Sequence, residues 1–184
     1  NVSVKEVLQE VTNGDFTDGV EKIVDGDFPF PNVNWTLNTG VTVPSAGILD
    51  FDGTGGAYAS QDILTSGKSY KVSIAVATTS LEPLNVFLGG GNSIYGSVVA
   101  ADTTIVIYGV SGGTNDVLYI GDWEGTITSV SVEELGADWT VTDNAAGDTV
   151  TFGDSFAEIT KTVPEAVYLQ QDYAVTLGAS HKLT

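Results

Sequence analysis

The chain has 184 residues, 42% of them hydrophobic, with 24 acids, six lysines, no arginine and a net charge of −18. That balance excludes nucleic-acid binding, which needs clustered cations to displace counterions from phosphate, and it opposes docking on an anionic membrane surface. No apolar run of about 18 residues is present, so no transmembrane helix and no membrane insertion are expected, and the absence of Cys excludes disulfides, thiolate metal sites and cysteine nucleophiles.

In chain order, Asn1 to Val7 reads as a strand, followed by an irregular stretch in which Asn13-Gly14-Asp15-Phe16 is echoed by Asp25-Gly26-Asp27-Phe28. One of these two openers starts the central module. Pro29 and Pro31 cannot donate to a ladder and mark an edge or linker. Strands are then expected from Trp35, over Ile48 to Asp52, Ala57 to Leu64, Tyr70 to Val76, Leu84 to Leu88, Ser93 to Val99 and Thr103 to Gly109. The organising stretch is Asp116 to Leu135, two strands around a Gly-containing turn. Ile127 is out of phase with Val130 and Val132, which predicts a bulge near Thr128 and Ser129. Strands recur every 8–15 residues or so and no window has helical periodicity, the pattern of an all-β sandwich. Its expected core is Leu49, Phe51, Tyr70, Val72, Ile74, Val76, Val86, Leu88, Ile105, Ile107, Ile120, Val130 and Val132.

After Leu135 the pattern restarts. Asp138-Trp139-Thr140-Val141 matches Asn34-Trp35-Thr36-Leu37, and Tyr168-Leu169-Gln170-Gln171-Asp172 matches Tyr58-Ala59-Ser60-Gln61-Asp62. Gly178 to Thr184 matches Gly67 to Ser73, and Asn1 to Val7 nearly repeats Ser129 to Leu135. Matches in the same order predict a tandem array. The expected division is 1–7 as the closing strand of a preceding module or a linker strand, 8–135 as one β-sandwich module, and 136–184 as a partial second copy. Such a half module exposes one apolar face, so Val150, Phe152, Val175 and Leu177 are expected to be covered by something outside their own copy. The mid-module start and the lack of any Met suggest part of a longer polypeptide.

Residues 13–135 resemble a carbohydrate-binding-module-type jelly roll, the galactose-binding-like β-sandwich. The resemblance rests on Asn13-Gly14-Asp15-Phe16, Trp35, Gly56-Ala57-Tyr58-Ala59-Ser60-Gln61, Gly67-Lys68-Ser69-Tyr70-Lys71-Val72, Gly125-Thr126-Ile127 and Val130-Ser131-Val132. The texture is also similar to repeats in bacteriophage fibre and virion proteins and in secreted bacterial surface proteins. The resemblance implies a structural calcium, with a Glu after the opening Phe and an Asp in the closing strand. Thr17, Thr128 and Ser129 stand there instead. A hydroxyl is a poor ligand for a hard cation, so the candidate calcium ligands become Asp15, Asp18, Asp25 and Asp27, with Asp122 and Glu124 as a second place for a cation.

Sugar binding by such modules uses aromatic rings flanked by amides and carboxylates. Trp35, Tyr58, Tyr95, Tyr108 and Trp123 are the aromatic candidates, with Asn85, Asn92, Gln61 and Asp122 as polar partners. Tyr95, beside Gly91-Asn92 and Gly96, is preferred, with Trp123, Asn92, Asn85 and Asp122 around it. Trp35 and Tyr70 read as core. The single histidine, His181, aligns with Tyr70, so no Ser-His-Asp set assembles. Asp50/Asp52 and Asp122/Glu124 are close same-strand pairs rather than carboxyls across a cleft. Gly89-Gly90-Gly91 lacks the Lys-Ser/Thr of a phosphate loop. The expectation is a non-enzymatic structural module of a surface assembly, such as a bacteriophage fibre or decoration protein, that associates with itself or with other subunits on a virion or cell surface. The alternative is an extracellular carbohydrate-binding module that adheres to a glycan.

Overall fold

A computed structural model describes residues 19–32, 34–78, 81–90, 93–112, 115–137, 139–143, 149–153, 156–162 and 167–170. The first eleven strands are β1 (Val20–Glu21), β2 (Thr36–Leu37), β3 (Val41–Ser45), β4 (Ile48–Asp52), β5 (Tyr58–Asp62), β6 (Ser69–Val76), β7 (Leu84–Leu88), β8 (Ser93–Ser97), β9 (Thr103–Val110), β10 (Val117–Gly121) and β11 (Glu124–Leu135). They form two antiparallel sheets. Sheet A has the order β3-β4-β11-β6-β9, with β1 pairing the far end of β11, and sheet B has the order β2-β5-β10-β7-β8. From β4 to β11 the chain crosses between the sheets so that β4-β11-β6-β9 faces β5-β10-β7-β8. That is the jelly-roll order of two Greek keys, as the sequence pattern and the resemblance imply.

Strand periodicity builds the core between the sheets. On β6, Tyr70, Val72, Ile74 and Val76 are buried and alternate with half-buried Lys71, Ser73 and Ala75. Leu84, Val86 and Leu88 of β7 and Leu118 and Ile120 of β10 do the same from sheet B. All of the expected core residues are buried except Ile105, which is partly buried and packs against the cluster. The expected bulge is present. Ile127 pairs with Val76 and Ser129 with Ala75, so Thr128 is the extra residue. Ahead of it β11 pairs β4; beyond it β11 turns Val130 and Val132 onto the core.

Of the two openers, Asp25-Gly26-Asp27-Phe28 is the one the structure shows at work; Asn13 to Phe16 lies outside the described residues. Phe28 is fully buried, with its ring centroid 5.4 Å from that of Trp35. The Val130 amide donates to the Gly26 carbonyl at 2.8 Å, and a Cβ at Gly26 would strike Val130 backbone, so only glycine fits. Two devices tie this arm to the sandwich. Buried Gln61 of β5 exchanges hydrogen bonds with both backbone groups of Val24. Glu134, on the inward side of β11, pairs with Lys22 at 2.8 Å and Lys68 at 3.8 Å.

Beyond Leu135 lie β12 (Thr140–Asp143), β13 (Thr149–Gly153), β14 (Phe156–Thr160) and β15 (Val167–Gln170). β12 pairs β15 and β13 pairs β14. In the central module β2 likewise pairs β5 and β3 pairs β4. The register repeats as well: Thr36↔Ser60 and Leu37↔Ala59 recur as Thr140↔Gln170 and Val141↔Leu169, the residues the sequence repeat equates. Phe152 is 6% exposed, and its amide donates to Ser69 Oγ of β6 at 2.9 Å. Its ring lies over Gly136, where any side chain would collide with it. The cover for Phe152 therefore comes from the central module. Val150 is half-buried, whereas Val175, Leu177 and the strand expected at residues 1–7 lie outside the described residues.

Candidate functional site

The solvent-facing side of sheet B carries an aromatic group. With Ala59 and Gln61 of β5 turned inward, Tyr58 and Ser60 face out; the same alternation turns Tyr119 of β10 and Asn85 and Phe87 of β7 outward. Register then brings them together. Tyr119 stands opposite both Ser60 and Phe87, and Gly121 stands opposite both Tyr58 and Asn85. The Tyr58 ring meets those of Phe87 and Tyr119 edge to face, at centroid separations of 6.0 and 6.1 Å. Gly121 leaves a low point between Tyr58 and Asn85; a Cβ there would strike the Ala57 carbonyl and the Tyr58 ring.

Loop groups hold this end of the sheet. Asn38 Oδ1 accepts the Tyr58 amide, and Asn38 Nδ2 donates to the Gly56 carbonyl. Asp122, with φ of 52°, accepts the Gly56 amide at 3.0 Å. Partial burial and then the Asp122 charge raise the Tyr58 pKa above its usual 10.0, so the phenol stays a neutral donor. Asp62 at the end of β5, Asp116 just before β10 and Asp122 just after it are exposed acids on these strands. The result is a half-exposed apolar surface fringed by amide, hydroxyl and carboxylate groups, suited to stacking and hydrogen bonding.

Two of the sequence-predicted residues, Asn85 and Asp122, belong to this group, and Tyr58 from the wider set of aromatics is its centre. Tyr95 does not join it. It pairs with inward-facing Val86 and packs against the core. Trp123 corrects the expectation more sharply: it is 1% exposed, edge-on to Phe51 at 6.0 Å, with no face open to a ligand. Its indole N–H finds no acceptor among the described residues. Trp35 is core, its indole N–H bonded to the Asp25 carbonyl; Gln61 is a buried tether; Tyr108 lies on the other sheet. Asn92 lies outside the described residues.

Of the candidate calcium ligands, Asp15 and Asp18 lie outside the described residues. Asp25, with φ of 55°, closes a turn: its carbonyl accepts from Phe28 and Trp35, and its carboxylate accepts from Asn34. Asp27 is exposed. Among the described residues no group of three or more His, Asp or Glu side chains is gathered for a metal ion. Asp52 and Glu124 are cross-strand neighbours lining an open groove with Asp50, Glu82, Thr78 and Thr126. Hydrogen bonds from Thr54 hold the Asp52 carboxyl below its usual 3.8.

Phe87 and Tyr119 were missed from the sequence. Once Leu84, Val86 and Leu88 are assigned inward, period two leaves Phe87 outward, so that signal was present. Val117 to Ile120 reads as a continuous apolar run, which hides the face of Tyr119.

Neither a protein-family model nor a curated protein sequence matches the chain. Among solved structures, the tandem CBM22-1–CBM22-2 domain of Paenibacillus barcinonensis Xyn10C is similar at 11% identity and a TM-score of 0.41 over 73% of this chain, which spans 56% of that one. The CBM22-1 xylan-binding domain of the same protein gives 13% identity and a TM-score of 0.41, with 66% of this chain covering 98% of that domain. The enzymatically active domain of bacteriophage CBA120 tailspike protein 4 gives 18% identity and a TM-score of 0.33, over 62% of this chain and 21% of that one. By its own strand order the chain is an all-β jelly-roll sandwich, continued by strands that repeat the pairing of that sandwich's opening strands.

Proposed function

We propose that this chain is a non-catalytic carbohydrate-binding module of an extracellular or virion surface protein, and that the outer face of sheet B is where the glycan docks. The observation that carries this reading is the group Tyr58, Phe87 and Tyr119, half-exposed on one sheet face with Asn85, Ser60 and Asp122 at its margin. Rigid aromatic rings supply contact area at low entropic cost, and fixed amides and carboxylates give direction to hydroxyls. None of the three rings belongs to the buried cluster between the sheets.

The test is binding to an array of neutral and acidic glycans, followed by titration of the best ligand. Truncation of Tyr58, Phe87 or Tyr119 to Ala is expected to cost about 1–2 kcal/mol each, roughly 5–30-fold in Kd. Tyr95→Ala and Tyr108→Ala should leave binding unchanged. Retained affinity in the Tyr58→Ala/Tyr119→Ala double variant would remove this face from consideration.

A second reading, a spacing module in a repeated surface assembly, is favoured by the recurrence of the β2/β5 register in β12/β15 and by the seat of Phe152 on Gly136. The two readings are compatible, because a tandem array can both space and bind. Under it, 136–184 is the opening part of a second module packed on the first.

A further inference from the structure

The charges of the molecule are not shared evenly by its two sheets. The chain has six lysines and no arginine, and among the described residues no lysine stands on a strand of sheet B. Lys22 and Lys68 reach Glu134 and Lys71 reaches Glu133, so these three lie along sheet A, matched there by carboxylates of β11. The central strands of sheet B end instead in acids: Asp62 and Asp116 at the end where Asp62 stands opposite Val117, and Asp122 at the end where Tyr58 stands opposite Gly121. Asp122 is held in place at the Tyr58 end. Its Oδ1 accepts the Gly56 amide at 3.0 Å, and its own amide donates to the Ala57 carbonyl at 2.8 Å. After partial burial, the Asp122 charge is the second cause that raises the Tyr58 pKa, so the carboxylate is felt at the ring.

We propose that this face takes a glycan free of anionic groups, and that Asp122 is the residue that sets the preference. The preference rests on the reading of sheet B as the glycan-binding face, and it names the class of sugar that face accepts. A carboxylate, sulfate or phosphate on the ligand would meet no cation of sheet B and would lose water beside a fixed like charge. Like charges set against each other at an interface cost enough to exclude a partner, and the field of a chain at −18 repels an anion at longer range as well. Sugar hydroxyls meet no such penalty: the phenols of Tyr58 and Tyr119 can donate to them, and the Asp122 carboxylate can accept from them. Asparagine at 122 would keep an oxygen for the Gly56 amide and tolerates a φ of 52°, so Asp122→Asn removes the charge with little else.

The experiment is an array of neutral oligosaccharides beside their uronate and sulfated counterparts, followed by titration of matched pairs. At about 20 mM salt the anionic member of a pair should bind at least about tenfold more weakly, and the ratio should shrink towards one at about 0.5 M salt, where charges are screened. Asp122→Asn should lower the low-salt ratio by about threefold or more. Glu133→Gln removes the same charge from the outer side of sheet A, and it should leave the ratio where it was. An anionic sugar bound as tightly as its neutral counterpart, a ratio indifferent to Asp122→Asn, or a ratio moved as far by Glu133→Gln would each overturn the preference. The site and the preference fail separately. Absence of binding across the array, or binding that survives Tyr58→Ala/Tyr119→Ala, removes sheet B as the site and the preference with it. An anionic sugar that binds the parent chain tightly and is lost in that double variant removes the preference alone.

Discussion

The pair Lys22–Glu134 offers a sharp test of how the N-terminal arm is held. Glu134 occupies an inward position of β11 with its side chain 9% exposed, 2.8 Å from Lys22 and 3.8 Å from Lys68, whose side chains are 29% and 42% exposed. The two partners of the pair are not equivalent. Removing Lys22 leaves a buried carboxylate facing only a distant, half-exposed lysine, and an uncompensated buried charge is expensive. Removing the Glu134 charge leaves two lysines that can turn to water. Lys68→Met removes an exposed and stretched contact of the kind that contributes little. The expected losses are therefore about 2–3 kcal/mol for Lys22→Met, about 1–2 for Glu134→Gln and about 0–1 for Lys68→Met. The double variant Lys22→Met/Glu134→Gln should cost less than the sum of the two single variants, because its second change no longer strands a charge. Urea titration measures each as a shift in midpoint at constant slope. The reasoning fails if Glu134→Gln is costlier than Lys22→Met, or if Lys68→Met equals either.

Alkaline pH should destabilise the fold. Lys22 is raised above 10.5, chiefly by its hydrogen bond to Glu134, while burial raises Tyr70 and Tyr58 above 10.0. Each folded pKa lies above its unfolded value, so the stability is fully present below about 10 and is lost as pH rises through the folded values; the melting temperature should hold to about pH 9 and fall beyond about pH 10. A flat profile through pH 11 would contradict these environments. Calcium at millimolar level is expected to leave the melt of the full chain unchanged relative to chelator, since Asp25 is committed to a turn and Asp27 is exposed; a rise would direct attention to Asp15 and Asp18 as ligands. Phe152→Ala should free the segment after Gly136 for limited proteolysis while the central module keeps its melting transition, and a shift of that main transition by as much as a core truncation such as Ile74→Ala, about 2–5 kcal/mol, would argue against two separable modules.

Much of the fold was legible because strand phase is a local property. The alternation Tyr70, Val72, Ile74, Val76 names its own inward face, and the one-residue slip between Ile127 and Val130 names its own bulge. The internal repeat was equally readable, since two strands with the same residues pair in the same register whichever copy they belong to. Sites were less legible. Trp123 sits between two acids, and its neighbours suggested an exposed loop; the turn instead folds the indole under Gly125 and against Phe51. Tyr95 looked isolated among turn residues, yet its register opposite inward-facing Val86 directs it to the core.

Composition and periodicity by themselves determined that the chain is all-β, acidic and repetitive, because those properties depend on residue content and on neighbours a few residues away. Tertiary structure alone decided which side chains share a face. Phe87 and Tyr119 lie 29 and 61 residues from Tyr58 in sequence, and their rings lie about 6 Å from its ring in space. The jelly roll brings β5, β10 and β7 side by side in an order that no local signal encodes. The same is true of β9, whose residues read as an ordinary strand and whose place beside β6 at the end of the sheet A order exists only once the other strands have taken theirs.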